Sequence, residues 1–356
     1  MRIFVLNSGS SSIKYKLFNG DLKLLKEGIV ESVIDHKEAL TKIEESLNLD
    51  FVTLDAIAHR VVHGGLEFTK PTFINKQVID EIKKTIPLAP LHNRANLDGI
   101  IAFSKLTPTT PQIAFFDTAF HQTMLPSSYL YAIPKKYYRD MGIRRYGFHG
   151  ISHQYLLKES AKRLNKPIEQ CNIITLHLGN GASVTAIKNG KVIDTSMGFT
   201  PLEGLVMGTR VGDIDGGILI YLQEKLKLSP DEINHILNYR SGLKGICGTN
   251  DMREIIQNMK QGDKDSSLAF KIFCLKIKKY IGSYIALIGK IDAIVFSGGI
   301  GENSQEVRDE VCKEMEHLGV TSKKIFVIKT NEELEMARET IEILNHRSIK
   351  LTQTSP

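Results

Sequence analysis

The sequence has few cysteines, and their spacing fits neither a metal site nor a disulfide framework. Four cysteines lie far apart in a chain of 356 residues, with no C-x-x-C pair and no histidine at zinc-finger spacing. Isolated thiols of this kind are typical of buried residues in a reducing compartment. They are Cys171, Cys247, Cys274 and Cys312.

Long apolar runs and clustered charges are also missing. No apolar run approaches the length of a membrane span, and the first apolar run, residues 3–6, has no signal-peptide h-region before it. Lys and Arg are scattered, so the net charge of +6 favours small anions over nucleic acid. We therefore expect a cytoplasmic protein that binds neither nucleic acid nor membranes.

The chain contains a weak internal repeat. Residues 3–20 and 173–190 align without gaps, and each segment predicts a strand, a small polar loop with glycine, a second strand and an Asn-Gly turn of type I′. The identical pairs are Ile3/Ile173, Leu6/Leu176, Gly9/Gly179, Asn19/Asn189 and Gly20/Gly190. Chance similarity between two hairpins is the alternative. The offset of about half the chain, together with helical patterns between the strands, favours two related α/β domains.

Three glycine-rich segments follow predicted strands. They are NSGSSS at 7–12, HLGNGAS at 177–183 and FSGGIGEN at 296–303. Exposed backbone N–H groups in such loops bind anions, and glycine lets phosphate oxygens approach the main chain. Neither the G-x-x-x-x-G-K-[ST] motif nor the protein-kinase motifs occur. If the loops bind a nucleotide, they belong to another architecture.

Histidine, arginine and aspartate follow apolar stretches in several blocks of the sequence. An arginine beside glycine, as in HRVVHGG and MGTRVGD, suits two-pronged recognition of a carboxylate or phosphate. Single histidines such as His63, His121 and His153 are also explained by structural hydrogen bonding. The blocks are HRVVHGG at 59–65, APLHN at 89–93, FFDTAFHQTM at 115–124, RRYGFHGISH at 144–153 and PLEGLVMGTRVGDIDGG at 201–217.

In this order and spacing, the blocks resemble the acetate kinase family of the actin, sugar kinase and Hsp70 superfamily. The resemblance covers nearly the whole chain, from VLNSGSSSIKY to TNEELEMARET. It implies an α/β fold of two duplicated actin-like (ribonuclease H-like) domains with a cleft between them. The first would span residues 1–123 plus about 335–356, closed by the C-terminal helix. The second, 124–334, would carry the nucleotide-binding loops and a dimer interface.

The resemblance implies reversible, magnesium-dependent transfer of the ATP γ-phosphoryl group to acetate, giving acetyl phosphate and ADP, in a homodimer. By the family motifs, Arg60 and Arg210 flank the carboxylate and the moving phosphoryl group. His149 would hydrogen-bond that group, and Asp117 would organise magnesium or orient Arg60. Asn7 and Glu332 match the family's metal-binding positions, with Mn²⁺ as a substitute for Mg²⁺, although Glu333 is an alternative to Glu332.

The remaining implied site residues divide into two sets. Those for the substrate carboxylate and its methyl group are Arg60, Val62, Leu91, His92, Phe148 and Pro201. Those for ATP are Ser10, Ser12, Lys14, His177, Gly179, Asn180, Gly181, Gly298, Gly299, Gly301 and Asn303.

Two other functions stay open at this point. A switching ATPase of the same superfamily would need no carboxylate acceptor, and a propionate or butyrate kinase would share most of the motifs. Valine at position 62 resembles acetate-preferring members, so it discriminates the acyl kinases from one another. Arg94 and Gly216-Gly217 depart from the family pattern and leave the shape of the pocket in doubt.

Overall fold

The computed structural model describes residues 1–9, 12–31, 33, 36–47 and 49–353, with the backbone alone at 37, 90, 91 and 348–353. Within these ranges, no helix is both long and apolar enough to cross a membrane. The predicted phosphate ligand Ser10 lies outside the described residues.

Strands and helices alternate along the chain, as the sequence pattern predicts. The strands are β1 (Arg2–Ser8), β2 (Ser12–Asn19), β3 (Leu24–Glu31), β4 (Ala56–Val61), β5 (Thr72–Phe73), β6 (Gln112–Phe116), β7 (Ile173–Leu178), β8 (Ala182–Lys188), β9 (Lys191–Thr195), β10 (Ala293–Ser297) and β11 (Ile325–Val327). The α-helices are α1 (His36–Leu47), α2 (Lys76–Thr85), α3 (Pro90–Leu106), α4 (Pro126–Tyr129), α5 (Lys136–Met141), α6 (Gly150–Leu164), α7 (Gly216–Leu226), α8 (Pro230–Tyr239), α9 (Gly242–Cys247), α10 (Met252–Lys260), α11 (Lys264–Ile288), α12 (Gly298–Asn303), α13 (Gln305–Cys312) and α14 (Glu332–Gln353).

The chain folds into two compact units. The first is Met1–Phe120 together with Asn331–Pro356, and the second is His121–Thr330. The predicted domain boundaries, after 123 and at about 335, lie within a few residues of these. The assignment of a dimer interface to the second domain stays a prediction.

The first unit is built on a six-stranded sheet in the order β3-β2-β1-β4-β6-β5. The central strand β1 pairs antiparallel with β2 and parallel with β4. Its apolar residues 3–6 are at most 1% exposed, which is the pattern of a strand covered on both faces. Phe4 and Leu6 pack with Phe103 of α3 on one face, while α14 packs on β1 and β4.

The second unit repeats this topology in a five-stranded sheet, β11-β10-β7-β8-β9. Its first strand, β7, pairs antiparallel with β8 and parallel with β10, as β1 does with β2 and β4. Matching connections in both sheets confirm that the internal repeat reflects duplicated folds. The longest helix of this unit is α11, whose apolar residues recur three or four positions apart on its buried face.

One of the two predicted Asn-Gly turns is wrong. Asn189 and Gly190 both have positive φ, +52° and +72°, as a type I′ turn requires. Asn19 and Gly20 do not, because the side chain of Asn19 accepts hydrogen bonds from the backbone N–H groups of residues 21 and 23. The loop is therefore longer, and Leu22 takes the left-handed conformation in it with φ of +61°.

Candidate active site

In the first unit, Arg60 and Asp117 form a two-pronged ion pair at the carboxyl ends of two adjacent parallel strands. Arg60 lies in β4 and Asp117 directly follows β6. Arg60 Nε donates to Asp117 Oδ1 at 3.0 Å, and Arg60 Nη2 donates to Oδ2 at 2.7 Å. The Asp117 side chain is 1% exposed and that of Arg60 is 18% exposed. The pair fixes the plane of the guanidinium and leaves part of it accessible.

Glu332, at the start of α14, adds a second carboxylate to this pair. Its Oε2 lies 3.7 Å from Arg60 Nε. Burial raises the pKa of the Glu332 carboxyl to about 7, an effect that Arg60 opposes and Asp117 and Glu333 reinforce. Burial lowers the pKa of Arg60, but the carboxylates of Asp117 and Glu332 outweigh this effect and hold the pKa above its ordinary value.

The two candidate metal-binding glutamates face different partners. Glu332 lies beside Arg60, whereas Glu333 Oε2 is 3.2 Å from Lys16 Nζ. In the described part of the chain, no three His, Cys, Asp or Glu side chains converge on a metal site. The groups present are nevertheless carboxylate oxygens, which are hard ligands. Two carboxylates, those of Asp117 and Glu332, face a single arginine, Arg60, so negative charge is in excess. This set fits Mg²⁺, which prefers carboxylate oxygens and keeps several of its waters.

Two buried asparagines of α3 hold the segment that follows β4. Asn96 Oδ1 accepts from the Val62 N–H at 3.1 Å, and Asn96 Nδ2 donates to the carbonyl of Ser8 at 2.7 Å. Asn93 accepts from the His63 N–H at 2.9 Å and donates to the His63 carbonyl at 2.9 Å. The end of β1 and the end of β4 are thus tied through one helix. Asn93 belongs to the APLHN motif, whereas Asn96 lies outside every motif of the sequence and no local pattern indicates its role.

The predicted pocket residues of the first unit lie on these elements. Val62 is 7% exposed. His92 is partly exposed in the first turn of α3, while only the backbone of Leu91 is described. Ser12 and Lys14 lie in β2, with Lys14 opposite Asn7 of β1.

In the second unit, His149 is held by its backbone and by its ring. It precedes α6 with φ of +57°, a strained conformation for a side chain of this size. The ring of His121 donates from Nε2 to the carbonyl of Phe148 at 3.0 Å, which fixes the peptide before it. His149 Nδ1 is hydrogen-bonded to Ser183 Oγ at 2.9 Å, and its ring stacks on His177 at 4.3 Å.

Arg210 lies beside His149 across Gly181. A Cβ at Gly181 would lie 3.4 Å from His149 Nε2 and 3.7 Å from Arg210 Nη1. Arg210 Nη1 donates to the carbonyl of Pro201 at 3.0 Å, and burial lowers the pKa of Arg210. Among the described residues, no carboxylate pairs with this guanidinium. It is a partly buried cation, and the described residues supply no ion pair for its charge.

Arg145 supports the segment that leads to Arg210. Its Nη1 donates to the carbonyls of Thr195 and Ser196, each at 3.0 Å, and its Nη2 donates to Glu203 at 2.5 Å. Arg145 stands in the RRYGFHGISH block, but its role follows only from partners 50 or more positions away.

The second unit also contains a cavity of about 940 Å³ beside two of the glycine-rich segments. Asn180 lies at its edge, where its Oδ1 accepts from Asn250 Nδ2 at 3.0 Å. Gly208 lets the Asn180 side chain pack closely against the backbone, because a Cβ at this position would lie 2.0 Å from Asn180 Oδ1. The lining residues are Gly179, Asn180, Asn250, Asp251, Met252, Arg253, Ile256, Gly299, Ile300, Asn303, Ser304 and Glu306. Four of them, Gly179, Asn180, Gly299 and Asn303, were predicted ATP ligands.

One side of this cavity, formed at 250–256, was not predicted from the sequence. Asp251 caps α10 by accepting from the Arg253 N–H at 2.9 Å, and capping aspartate before a helix is a readable signal. Gly298 and Gly301 are buried and do not line the cavity. The Gly298 N–H donates to Glu302 Oε1 at 2.9 Å, so that glutamate holds the turn from β10 into α12.

Comparison with known proteins identifies the family. A model of the acetokinase family matches residues 32–326. The chain is similar to the acetate kinase of Sulfurimonas denitrificans, with 47% identity over an alignment of 390 residues that covers 97% of this chain and 100% of the relative.

Solved structures agree with this result. The crystal structure of Porphyromonas gingivalis acetate kinase matches with a TM-score of 0.91 and 38% identity, over 96% of this chain and 99% of that one. A propionate kinase from Francisella tularensis matches with a TM-score of 0.90 and 42% identity, over 95% and 98% of the two chains. These likenesses confirm the predicted α/β fold class. Because the family model spans most of the chain and the relatives match nearly all of it, this chain belongs to the acetokinase family.

Proposed function

We propose that this protein is an acetate kinase, which transfers the γ-phosphoryl group of ATP to acetate and runs in both directions. The family makes it a phosphotransferase that acts on a carboxylate. The observation that carries the proposal is Arg210, a partly buried guanidinium without an ion pair among the described residues, beside His149 and Gly181 in the unit that holds the cavity. A cation that is largely withdrawn from water and lacks an ion pair is stabilised by an anion that arrives from solution.

The reaction needs positioning and charge stabilisation rather than acid-base chemistry. A carboxylate oxygen attacks the γ-phosphorus as the bond to the β,γ-bridging oxygen breaks, and ADP leaves with that electron pair. Acetate is already ionised at pH 7, because carboxylic acids of this type have a pKa near 4 to 5. No base has to remove a proton from it, so the role we assign to Asp117 is to orient Arg60.

Each unit supplies one arginine to this proposal. Arg60 and Arg210 both offer forked, permanently charged donors to the carboxylate and the phosphoryl group. His149 donates a hydrogen bond to the moving phosphoryl group. Asn7 and Glu332 are the residues that would hold Mg²⁺, or Mn²⁺ in its place, and the bound ion would offset the charge of the phosphates.

The nucleotide belongs in the cavity of the second unit. The backbone N–H groups of Asn180 and Gly181 suit the phosphates, and Ile256 and Ile300 supply apolar surface for the base. Ser10, Ser12, Lys14, His177, Gly298 and Gly301 stay proposed ATP ligands on the family motifs alone.

A propionate kinase is the second candidate, because a protein with that name matches the chain at 42% identity. The proposed methyl pocket comprises Val62, Leu91, Phe148 and Pro201. One methylene changes discrimination by only about 1–3 kcal/mol. Propionate is therefore expected as a slower substrate of the same site.

We also propose a cytoplasmic homodimer. All four cysteines are free, which suits a reducing compartment. Helix α7 has no buried residue and exposes Ile218, Ile220, Tyr221 and Leu226, each at least 44% exposed. An apolar helix face of this kind is typical of a protein interface, and we assign it to a second copy of the chain.

Phosphorus NMR tests the proposed reaction directly. The purified protein is mixed with ATP, Mg²⁺ and acetate, and in a parallel sample without acetate. Acetyl phosphate and ADP signals that appear only with acetate, and ATP that reappears from ADP and acetyl phosphate, are the expected result. ADP and inorganic phosphate at equal rates in both samples would instead indicate a switching ATPase.

A further inference from the structure

A chain of hydrogen bonds leads from His149 into the core of the second unit. His149 Nδ1 is bonded to Ser183 Oγ at 2.9 Å, and Ser183 Oγ is bonded to His153 Nε2 at 2.8 Å. His153 Nδ1 is bonded to Thr175 Oγ1, also at 2.8 Å. Ser183, His153 and Thr175 are each 0% exposed, so water does not compete for these bonds.

The Thr175 end of this series of hydrogen bonds determines which group donates in each of them. In the described part of the molecule, the Thr175 hydroxyl has one hydrogen-bond partner, His153 Nδ1. If His153 Nδ1 carried the hydrogen, the hydroxyl hydrogen of Thr175 would be buried without an acceptor, at a cost of about 1–3 kcal/mol. Thr175 therefore donates to Nδ1, and the hydrogen of His153 is on Nε2.

The donors of the remaining two hydrogen bonds, up to His149, follow from this assignment. His153 Nε2–H donates to Ser183 Oγ, which leaves the Ser183 hydroxyl hydrogen to donate to His149 Nδ1. A nitrogen that accepts this bond carries no hydrogen of its own, so the hydrogen of His149 is on Nε2.

His153 has the charge state that this arrangement needs. Burial lowers its pKa well below the usual value, and positive charge on the neighbouring His121 and His177 would lower it further. A neutral imidazole has one donor and one acceptor nitrogen, so a hydrogen bond accepted at one nitrogen makes the other nitrogen the donor. A charged imidazole has two donor nitrogens, so the bond at one nitrogen would not determine the role of the other.

We propose that Thr175, His153 and Ser183 are positioning residues that lock His149 in its Nε2–H tautomer, so that Nε2 donates to the transferred phosphoryl group. The proposal deepens the proposed kinase function and rests on it for the identity of the acceptor. Its geometric basis is that His149 Nε2 faces Gly181 on the same side as Arg210 Nη1. The hydroxyl and imidazole groups behind His149 thus set which of its nitrogens can donate.

The tautomer of His149 can be measured without any assay of activity. The eleven histidines are labelled with ¹⁵N, and long-range ¹H–¹⁵N spectra at pH 7.5 distinguish a protonated from an unprotonated ring nitrogen. The signals of His149 are those that disappear in His149→Gln. We expect an unprotonated Nδ1 and a protonated Nε2 in the wild-type protein. A protonated Nδ1, in either the neutral or the charged ring, would overturn the proposal even if the enzyme is fully active.

Matched variants at Thr175 test whether its hydroxyl determines the tautomer of His149. Thr175→Val keeps the shape and removes the hydroxyl, whereas Thr175→Ser keeps the hydroxyl. We expect Thr175→Val and Ser183→Ala to give mixed His149 tautomers and to lower kcat about 10- to 100-fold, with the KM for ATP changed less than threefold. Thr175→Ser is expected to keep the wild-type tautomer and at least a third of kcat.

The outcomes separate this proposal from the kinase proposal. Equal kcat and an unchanged tautomer in Thr175→Val and Thr175→Ser would refute the positioning role. A wild-type protein with the expected tautomer but without acetate-dependent turnover would leave the hydrogen-bond chain intact and remove the kinase. If Ser183→Ala or Thr175→Val does not fold, the wild-type spectrum decides the tautomer by itself.

Discussion

The guanidinium of Arg60 binds both oxygens of the Asp117 carboxylate, with Nε donating to Oδ1 at 3.0 Å and Nη2 donating to Oδ2 at 2.7 Å. Asp117 is almost fully buried, so the arginine has one favoured orientation. Since acetate brings its own negative charge, the role we propose for the carboxylate of Asp117 is to hold Arg60 in place.

Asp117→Asn tests this role. The amide keeps the shape of the side chain but loses one charge-assisted hydrogen bond, which is worth about 1.5–3 kcal/mol. We expect kcat/KM for acetate to fall about 10- to 100-fold, since about 1.4 kcal/mol corresponds to a factor of ten. Steady-state kinetics with the coupled assay for ADP measure it.

Asp292→Asn is the matched control, because Asp292 pairs with Lys166 at 2.8 Å far from the proposed chemistry. It is expected to lower the melting temperature while kcat/KM stays within a factor of two. A larger kinetic effect at Asp292 than at Asp117 would contradict the orienting role.

Val62→Ala is expected to shift acyl preference towards propionate. The residue is 7% exposed and its N–H is fixed by Asn96, so the shortened side chain leaves room in the pocket. We expect the ratio of kcat/KM for propionate over acetate to rise about 3- to 10-fold, within the range that one methylene supplies. Kinetics with both acids give the ratio directly.

The neighbouring Val61→Ala separates pocket shape from general loosening. Val61 packs in a different cluster with Val78 and Phe116. Its truncation should cost about 1–3 kcal/mol of stability and leave the acyl ratio unchanged. The same shift in both variants would remove Val62 from the pocket.

Gly208→Ala is expected to weaken ATP binding. The new Cβ would lie 2.0 Å from Asn180 Oδ1, so the Asn180 amide must move out of the cavity wall. Loss of a hydrogen bond of about 1–1.5 kcal/mol predicts a KM for ATP raised roughly tenfold. In Gly216→Ala, the Cβ meets no atom within 4 Å, so this control should keep the KM and stabilise α7 by up to about 1 kcal/mol. An unchanged KM in Gly208→Ala would argue against Asn180 as an ATP ligand.

His59 makes the protein less stable in acid. Burial lowers its pKa to about 4, while a hydrogen bond to Gln112 opposes the shift. The unfolded chain therefore binds a proton at His59 below about pH 6.5, whereas the folded chain binds it only near pH 4. The free energy of unfolding thus has its full value above pH 6.5 and decreases as the pH falls from about 6.5 to about 4. The loss at pH 5 is about 2 kcal/mol from this residue alone.

Urea unfolding at pH 7 and pH 5 measures the effect of His59. In His59→Gln, the difference in unfolding free energy between the two pH values should shrink by that amount, because glutamine does not titrate. The exposed His235→Gln is the control and should leave the difference unchanged. If both variants keep the wild-type difference, His59 is not a source of the acid sensitivity.

The sequence predicts the parts of this fold that depend on local pattern. The capping box of α8, with Ser229 and Glu232, is formed as its sequence indicates. The turn at Asn19 differs because its side chain closes the loop through two backbone N–H groups, a competition that composition does not reveal.

The site is predictable only in its residue types. Asn96 meets Ser8 from 88 positions away, and Ser152 meets Thr330 from 178 positions away, at 2.8 Å. Such bonds depend on the register of strands and helices, which no local motif encodes. The quoted motifs therefore contain the glycine-rich segments, the two arginines and Asp117, whereas Asn96, which holds the segment after β4, lies outside them.

Arg210 is proposed to stabilise phosphoryl transfer to a short carboxylate. To test this role, acyl phosphate is trapped as its hydroxamate after incubation with ATP, Mg²⁺ and acetate, propionate or butyrate. Wild-type protein and Arg210→Ala are compared, and ATP binding is measured on the same samples. We expect strong product with acetate, less with propionate, and at least a 10³-fold loss in Arg210→Ala while ATP still binds. If no acid gives product, or if Arg210→Ala is fully active, Arg210 does not have this role.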